Sequence, residues 1–208
     1  MSTTRLTAAA ASLATVAAMG VIGVSTASAA IKFGADLNSE TQPSNASNAS
    51  CHKADETLTT NPCTRVATTF ADVGAVNNKI TAPKDGTIKK IKLVAGTPGV
   101  MTPFVVRLKD FDTSNYTAKG KATAKGPKIN YVSSILADSY KVQSFPVNIK
   151  VKKGQFLAIR SKRTSMERCN SGGGKQLLFA PPLKIGNPFD PSDGRDDCVL
   201  LIQGVIKY

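Results

Sequence analysis

Residues 145–152 read Phe-Pro-Val-Asn-Ile-Lys-Val-Lys, with Val147, Ile149 and Val151 alternating with Asn148, Lys150 and Lys152. A repeat of two puts one set of side chains on a buried face and the other in water, which is the pattern of a strand and not of a helix. The same period recurs along the chain. Ile91 and Leu93 alternate with Lys90 and Lys92 in residues 87–94, and Phe104, Val106 and Leu108 alternate with Arg107 and Lys109 in residues 104–109. Residues 65–70, 156–160 and 175–179 are further short strand signals. Residues 199–207 run nearly apolar, as a central core strand would. No segment after the first thirty residues carries a good helical repeat, and glycines and prolines punctuate the intervals. The expected fold class is all-β, an antiparallel β-sandwich.

Lys152-Lys153-Gly154 falls between two of these strands. Glycine accepts positive φ at no steric cost, so the tripeptide reads as a three-residue hairpin loop and not as a binding tip. Lys84-Asp85-Gly86 has the same form ahead of the strand at residue 87.

The first 29 residues read as a secretory signal peptide. Arg5 is followed by an apolar run at residues 13–24 and by Ala27-Ser28-Ala29, a small-residue cleavage site. That run is about 12 residues, short of the ~20 a spanning helix needs. Residues 30–208 then form one domain, with an N-terminal segment (30–64) that holds a polar loop and the first cysteine pair, and a sandwich body (65–208). All four cysteines, Cys51, Cys63, Cys169 and Cys198, lie in this part. An even count in an exported chain implies two disulfides. Three connectivities are open; local pairing, Cys51–Cys63 and Cys169–Cys198, is the expected one. No C-x-x-C pair supports zinc.

The inventory for catalysis is thin. There is one histidine, His52, no tryptophan, and no G-x-S-x-G elbow. The glutamates are Glu40, Glu56 and Glu167, and Asp110 and Asp112 sit too close in sequence to face each other across a cleft. The glycine run at residues 172–174 lacks phosphate-loop spacing. No cofactor is expected: Asp190, Asp193 and Asp196, with Gly194 allowing a tight turn, offer oxygen ligands that would suit calcium, but the stretch reads first as a plain acidic loop. That stretch is not an EF-hand series.

Three stretches carry a resemblance: Phe33 to Leu37, Ala82 to Ile88 leading into a basic strand, and Ile149 to Leu157. On these the chain resembles a group of small, uncharacterised secreted proteins of actinobacteria. The resemblance implies a jelly-roll-like β-sandwich and implies no activity.

The net charge is +13. Nucleic acid is a poor partner for an exported chain in which no stacking aromatics interleave the lysines. An anionic cell-envelope polymer suits both the address and the charge, with Lys90, Lys92, Lys150 and Lys152 as the expected binding residues. The expected function is a secreted, extracellular or wall-associated, non-catalytic binding or structural module with no membrane span. A secreted hydrolase acting on wall or extracellular polysaccharide is the alternative.

Overall fold

A computed structural model describes residues 30–38, 49–51, 61–69, 74–136, 139–169 and 175–207. The expected signal peptide, His52, Glu40 and Glu56 lie outside the described residues. The strands are β1 Ile31–Gly34, β2 Ala49–Ser50, β3 Cys63–Ala67, β4 Gly86–Leu93, β5 Gly99–Asp112, β6 Thr117–Lys125, β7 Ile129–Tyr131 and β8 Gln143–Val151. They continue as β9 Phe156–Ser161, β10 Arg163–Thr164, β11 Glu167–Cys169, β12 Gln176–Phe179, β13 Asp190–Pro191, β14 Gly194–Asp196, β15 Cys198–Leu200 and β16 Ile202–Lys207. One short 3-10 turn, Val76–Asn78, accompanies them. The all-β class is correct, and every pairing is antiparallel.

Two sheets face each other. The smaller runs β1-β16-β4-β8; the larger runs β13-β6-β5-β9-β3-β12-β14, with β7 attached to β5. Between them Phe33, Ile88, Ile91, Leu93, Ile149, Ile202 and Ile206 of the smaller sheet meet Met101, Val105, Leu157 and Ile159 of the larger. This sandwich core consists of the inward halves of the alternations seen in the sequence. At roughly 25 cal/mol per Å² of apolar surface, it is the main source of stability.

The larger sheet has a second core on its other side: Val66, Phe104, Val106, Ala118, Ala122, Ala158, Leu177, Phe179 and Leu183. Strand pairing explains how that side is sealed. β13 pairs with β6 and β14 pairs with β12, yet only Ser192 and Asp193 separate β13 from β14. Ser192 N–H donates to Ala118 O and Asp193 N–H to Leu178 O, both at 2.8 Å. One extended segment therefore bridges the two far edges, and the sheet curls into a closed ring. The ring is tight: a Cβ on Gly120 of β6 would sit 2.5 Å from Phe179 Cζ of β12. A glycine is required there because β6 and β12, distant in strand order, meet inside the ring.

Several expectations need correction on this frame. The strand at residues 104–109 is not half wet throughout. Phe104 and Val106 enter the ring while Val105 enters the sandwich core, so β5 is buried on both faces over that stretch. Residues 199–207 form two strands broken at Leu201, β15 pairing with β11 and β16 with β1 and β4. The Lys152-Lys153-Gly154 turn is not a hairpin, because β8 pairs with β4 and β9 pairs with β5 and β3. It is a corner that carries the chain from one sheet to the other. Gly154 does take positive φ, +79°. Its N–H donates to Ala82 O (2.8 Å), and Lys153 N–H donates to the Asp85 carboxylate (2.8 Å). The two Lys-x-Gly tripeptides thus pack on each other. Gly86 opens β4 opposite Val151 and is not among the positive-φ residues, so it does not share the form of Gly154.

Candidate functional site: a lysine face and a buried ion pair

Register decides which lysines share a surface. Across the smaller sheet, Lys32 stands opposite Val205, Val205 opposite Lys90, and Lys90 opposite Pro146. The neighbouring row is Lys207, Thr87 and Lys150; the next is Gln203, Lys92 and Ser144. Partners in register point to the same side. Lys32, Lys90, Lys92, Lys150 and Lys207 therefore occupy the face turned away from the sandwich core, whose residues Ile88, Ile91, Leu93, Ile149 and Ile206 alternate with them. Relative to β16, a bulge in β4 between Ile88 and Lys90 inserts Lys89, whose Nζ donates to Asn148 Oδ1 (2.5 Å) on the same outer side. Of the four expected binding residues, Lys90, Lys92 and Lys150 are thereby brought onto one sheet, and Lys152 continues it at the corner after β8. Alternation had shown each pair to point outward; only the β4–β8 pairing makes them neighbours. Lys32 and Lys207 had been missed because β1 and the end of β16 each carry a single lysine, which looks like nothing until the edge strands are placed.

The four strands contain six lysines and neither Asp nor Glu. With strands about 4.8 Å apart and same-face residues about 7 Å apart along a strand, the ammonium stems rise from points roughly 7–10 Å from one another. That is close to the screening length at physiological salt, about 8 Å, so their fields add. The face ends on β8, an edge strand whose exposed Pro146 and Lys150 discourage another strand from pairing there.

A second charged site is built in the opposite way. Arg65 of β3 is fully buried, and its Nε lies 2.8 Å from Glu167 Oε1 of β11. Gln176 Nε2 donates to the same carboxylate oxygen (2.8 Å). Arg65 Nη1 also points at the sulfurs of Cys63 (3.1 Å) and Cys51 (3.3 Å). Both disulfides form as the local pairing expected, Cys51–Cys63 and Cys169–Cys198. The second joins residues directly opposite each other on β11 and β15, beside Glu167. Glu167, Cys169 and Cys198 are grouped closely enough to suggest a metal site, but the disulfide leaves no thiolate to bind one. The residue types give no hint of this pair: Arg65 opens the short strand signal at residues 65–70, and Glu167 lies about a hundred residues away.

The remaining acids are placed by local structure. Asp110 Oδ2 meets Lys119 Nζ at 3.1 Å across the β5–β6 hairpin. Asp112 accepts from the Asn115 side chain and from Ser114 and Asn115 N–H groups, and these bonds hold its carboxyl below the usual carboxylate range. Asp193 Oδ2 accepts from Ala180 N–H (2.7 Å), fastening the ring-closing segment. Asp190 belongs to β13 and Asp196 to β14, so the proposed calcium ligands lie along one extended segment that pairs with β6 and β12. The side chain of Asp196 is outside the described residues, and no metal-ligand group among those described includes Asp190 or Asp193.

Two disulfides are the mark of an oxidising compartment. Among the described residues no helix is long and apolar enough to cross a membrane. Comparison with protein families, with curated proteins and with solved structures finds no match to this chain.

Proposed function

We propose that the chain is a secreted, non-catalytic binding module of the cell envelope, and that its ligand is an anionic polymer lying on the outer face of the β1-β16-β4-β8 sheet. The observation that carries this reading is the charge of that face: six lysines on four adjacent strands with no acidic residue among them. A face kept only for solubility mixes both signs. Single-sign fields attract polyanions and do so over a screening length. A flat sheet offers a long polymer many weak contacts, which suits repeated phosphates or uronates better than one small anion. The hydrolase alternative has less support. It needs two carboxylates facing a bond to be cut, whereas Asp110, Asp112, Glu167 and Asp193 each already serve a structural partner.

The test is a quadruple variant, Lys90→Gln, Lys92→Gln, Lys150→Gln and Lys152→Gln, in a sedimentation assay with isolated, lipid-extracted envelope over a salt series. The parent is expected to be retained at low salt and released as salt rises, and the variant to be retained several-fold less. Equal retention of the two at low salt overturns the reading.

A further inference from the structure

Exposed apolar side chains are not scattered over this molecule. Of the six large exposed hydrophobic residues among those described, four are in one place: Val100 (42 % exposed), Val132 (64 %), Ile135 (48 %) and Leu136 (51 %). Val100 lies opposite Asn130 in the β5–β7 pairing, and Val132 follows directly on the end of β7. Ile135 and Leu136 follow directly on the loop to β8.

That loop is built, not slack. Ser134 N–H donates to Ala95 O (2.7 Å) while Ala95 N–H donates back to Ser134 Oγ (3.0 Å). Ser133 Oγ donates to Gly96 O (2.9 Å). Gln143 Nε2 donates to Val132 O (2.7 Å) and Ser134 Oγ (2.9 Å), and Val132 N–H donates to Gln143 Oε1 (3.1 Å). Lys141 N–H bonds to Ser134 O, and Leu136 N–H to Ser139 O, both at 2.9 Å. The described backbone on either side of residues 137–138 is thus hydrogen-bonded, and it leaves Ile135 and Leu136 exposed, when the same bonds would have allowed polar residues there. Apolar side chains kept in water on hydrogen-bonded backbone mark a contact surface.

Charge selects the partner. The loop leads straight into β8, at the end where Ser144 stands opposite Lys92, so it begins where the lysine face begins. Lys128 and Lys141, both exposed, flank its apolar residues on either side in the chain. A partner that satisfies both features must be anionic over a broad front and apolar just beneath it. An anionic lipid bilayer is such a partner: basic residues gain from its surface potential, and apolar side chains gain from burial below the headgroups. Two weak signals of this kind are what reversible anchoring needs.

We propose that the loop carrying Val132, Ile135 and Leu136 inserts into the headgroup region of anionic lipid bilayers, with the adjacent lysine face holding the protein to the surface. This uses the same lysines as the reading above but does not depend on the polymer being their ligand.

The chain has no tryptophan, so Leu136→Trp supplies a reporter at the loop alone. The disulfide-bonded variant is titrated with vesicles of equal parts phosphatidylglycerol and phosphatidylcholine, and with phosphatidylcholine vesicles. The expected result is a blue shift with the anionic vesicles that is quenched by brominated acyl chains, with little change on the neutral ones. A second variant, Val132→Ser with Ile135→Ser in the parent, should lower co-sedimentation with anionic vesicles by about tenfold or more while the melt is kept. Unchanged emission with anionic vesicles overturns the proposal. So does a blue shift that grows with protein concentration without lipid, since a second copy would then be covering the loop. If the protein binds lipid-extracted envelope but its reporter ignores vesicles, the insertion fails and the polymer reading stands. The converse result separates them the other way.

Discussion

Arg65 and the lysines of the β1-β16-β4-β8 sheet are all cations on antiparallel strands, yet the fold treats them oppositely. Arg65 has lost all contact with water, and its guanidinium is met by the Glu167 carboxylate, with Gln176 bonded to that carboxylate and two sulfurs alongside. The six lysines keep their water and have no acid on their own four strands. A charge taken out of water costs several kcal/mol unless it is paired, so burial obliges the protein to supply a partner. A charge left in water carries no such obligation. Its countercharge can be left to something outside the protein. The comparison therefore separates a cation whose partner serves the fold from cations whose partner is still to come.

The sharpest way to break that contrast is to unpair Arg65. Glu167→Leu leaves a buried guanidinium without its carboxylate, which should cost about 3–5 kcal/mol in denaturant unfolding. Replacing both, Arg65→Met with Glu167→Leu, should recover most of the loss, because buried pairs often contribute little over apolar residues of like volume. If the single change cost under about 1 kcal/mol, water would have to reach the pair, and the contrast with the lysine face would fail.

A smaller effect is expected from Gln176→Leu, which removes one hydrogen bond to the carboxylate but leaves the ion pair. A bond to a charged group contributes roughly 1.5–3 kcal/mol. In a double-mutant cycle with Glu167→Leu the two losses should not add, since both act through one carboxylate. Additivity would mean that Gln176 stabilises the protein by packing alone.

The two sites also differ in how far they could be read from the chain. The strands at residues 65–70, 87–94, 104–109, 145–152, 156–160, 175–179 and 199–207 were legible, whereas β1, β6 and β7 were not, and the inward set was clearest at residues 90–93 and 145–152, where the alternation is clean and one face is wet. Legibility ended where that condition ended. β5 is buried on both faces over Phe104–Val106, so its Phe104-Val106-Leu108 face was legible and the burial of Val105 on the other was not. The closed ring rests on a segment, residues 190–196, that carries aspartates, a proline and a glycine and reads as a loop; its strand character comes from two partners that only the fold supplies. The corner at Gly154 was seen as a tight turn because glycine chemistry is local, but whether a turn joins paired strands is a matter of topology. Lys90, Lys92 and Lys150 were found from period, and their adjacency was not, for the same reason. Arg65 and Glu167 could not be matched at all, since a pair made across such a sequence distance leaves no spacing to detect.

Between the extremes lies the pair of Lys119 and Asp110, both about half exposed (52 % and 55 %). Solvent screens such a pair and its side chains pay entropy to hold it, so Lys119→Gln should cost no more than about 0.5 kcal/mol and less as salt is added. A loss as large as that of Gln176→Leu would place Lys119 with the buried group and remove exposure as the dividing variable.

The smallest effect should carry the opposite sign. On the outer face, Lys32, Lys90, Lys92, Lys150 and Lys207 have one another as charged neighbours at roughly 7–10 Å. Like charges at that range repel, and the repulsion is relieved when the chain unfolds. Neutralising Lys90, Lys92, Lys150 and Lys152 with glutamine should therefore leave the melt unchanged or raise it by about 1–2 °C. The rise should be largest near 0.01 M salt, where the screening length is about 30 Å, and vanish near 1 M, where it is about 3 Å. Calorimetry of parent and variant across that range decides the point. A melting temperature that falls at low salt would show that these lysines already have countercharges within the protein. The face would then belong with Arg65, as a structural arrangement, and the case for an external anion would lose its premise.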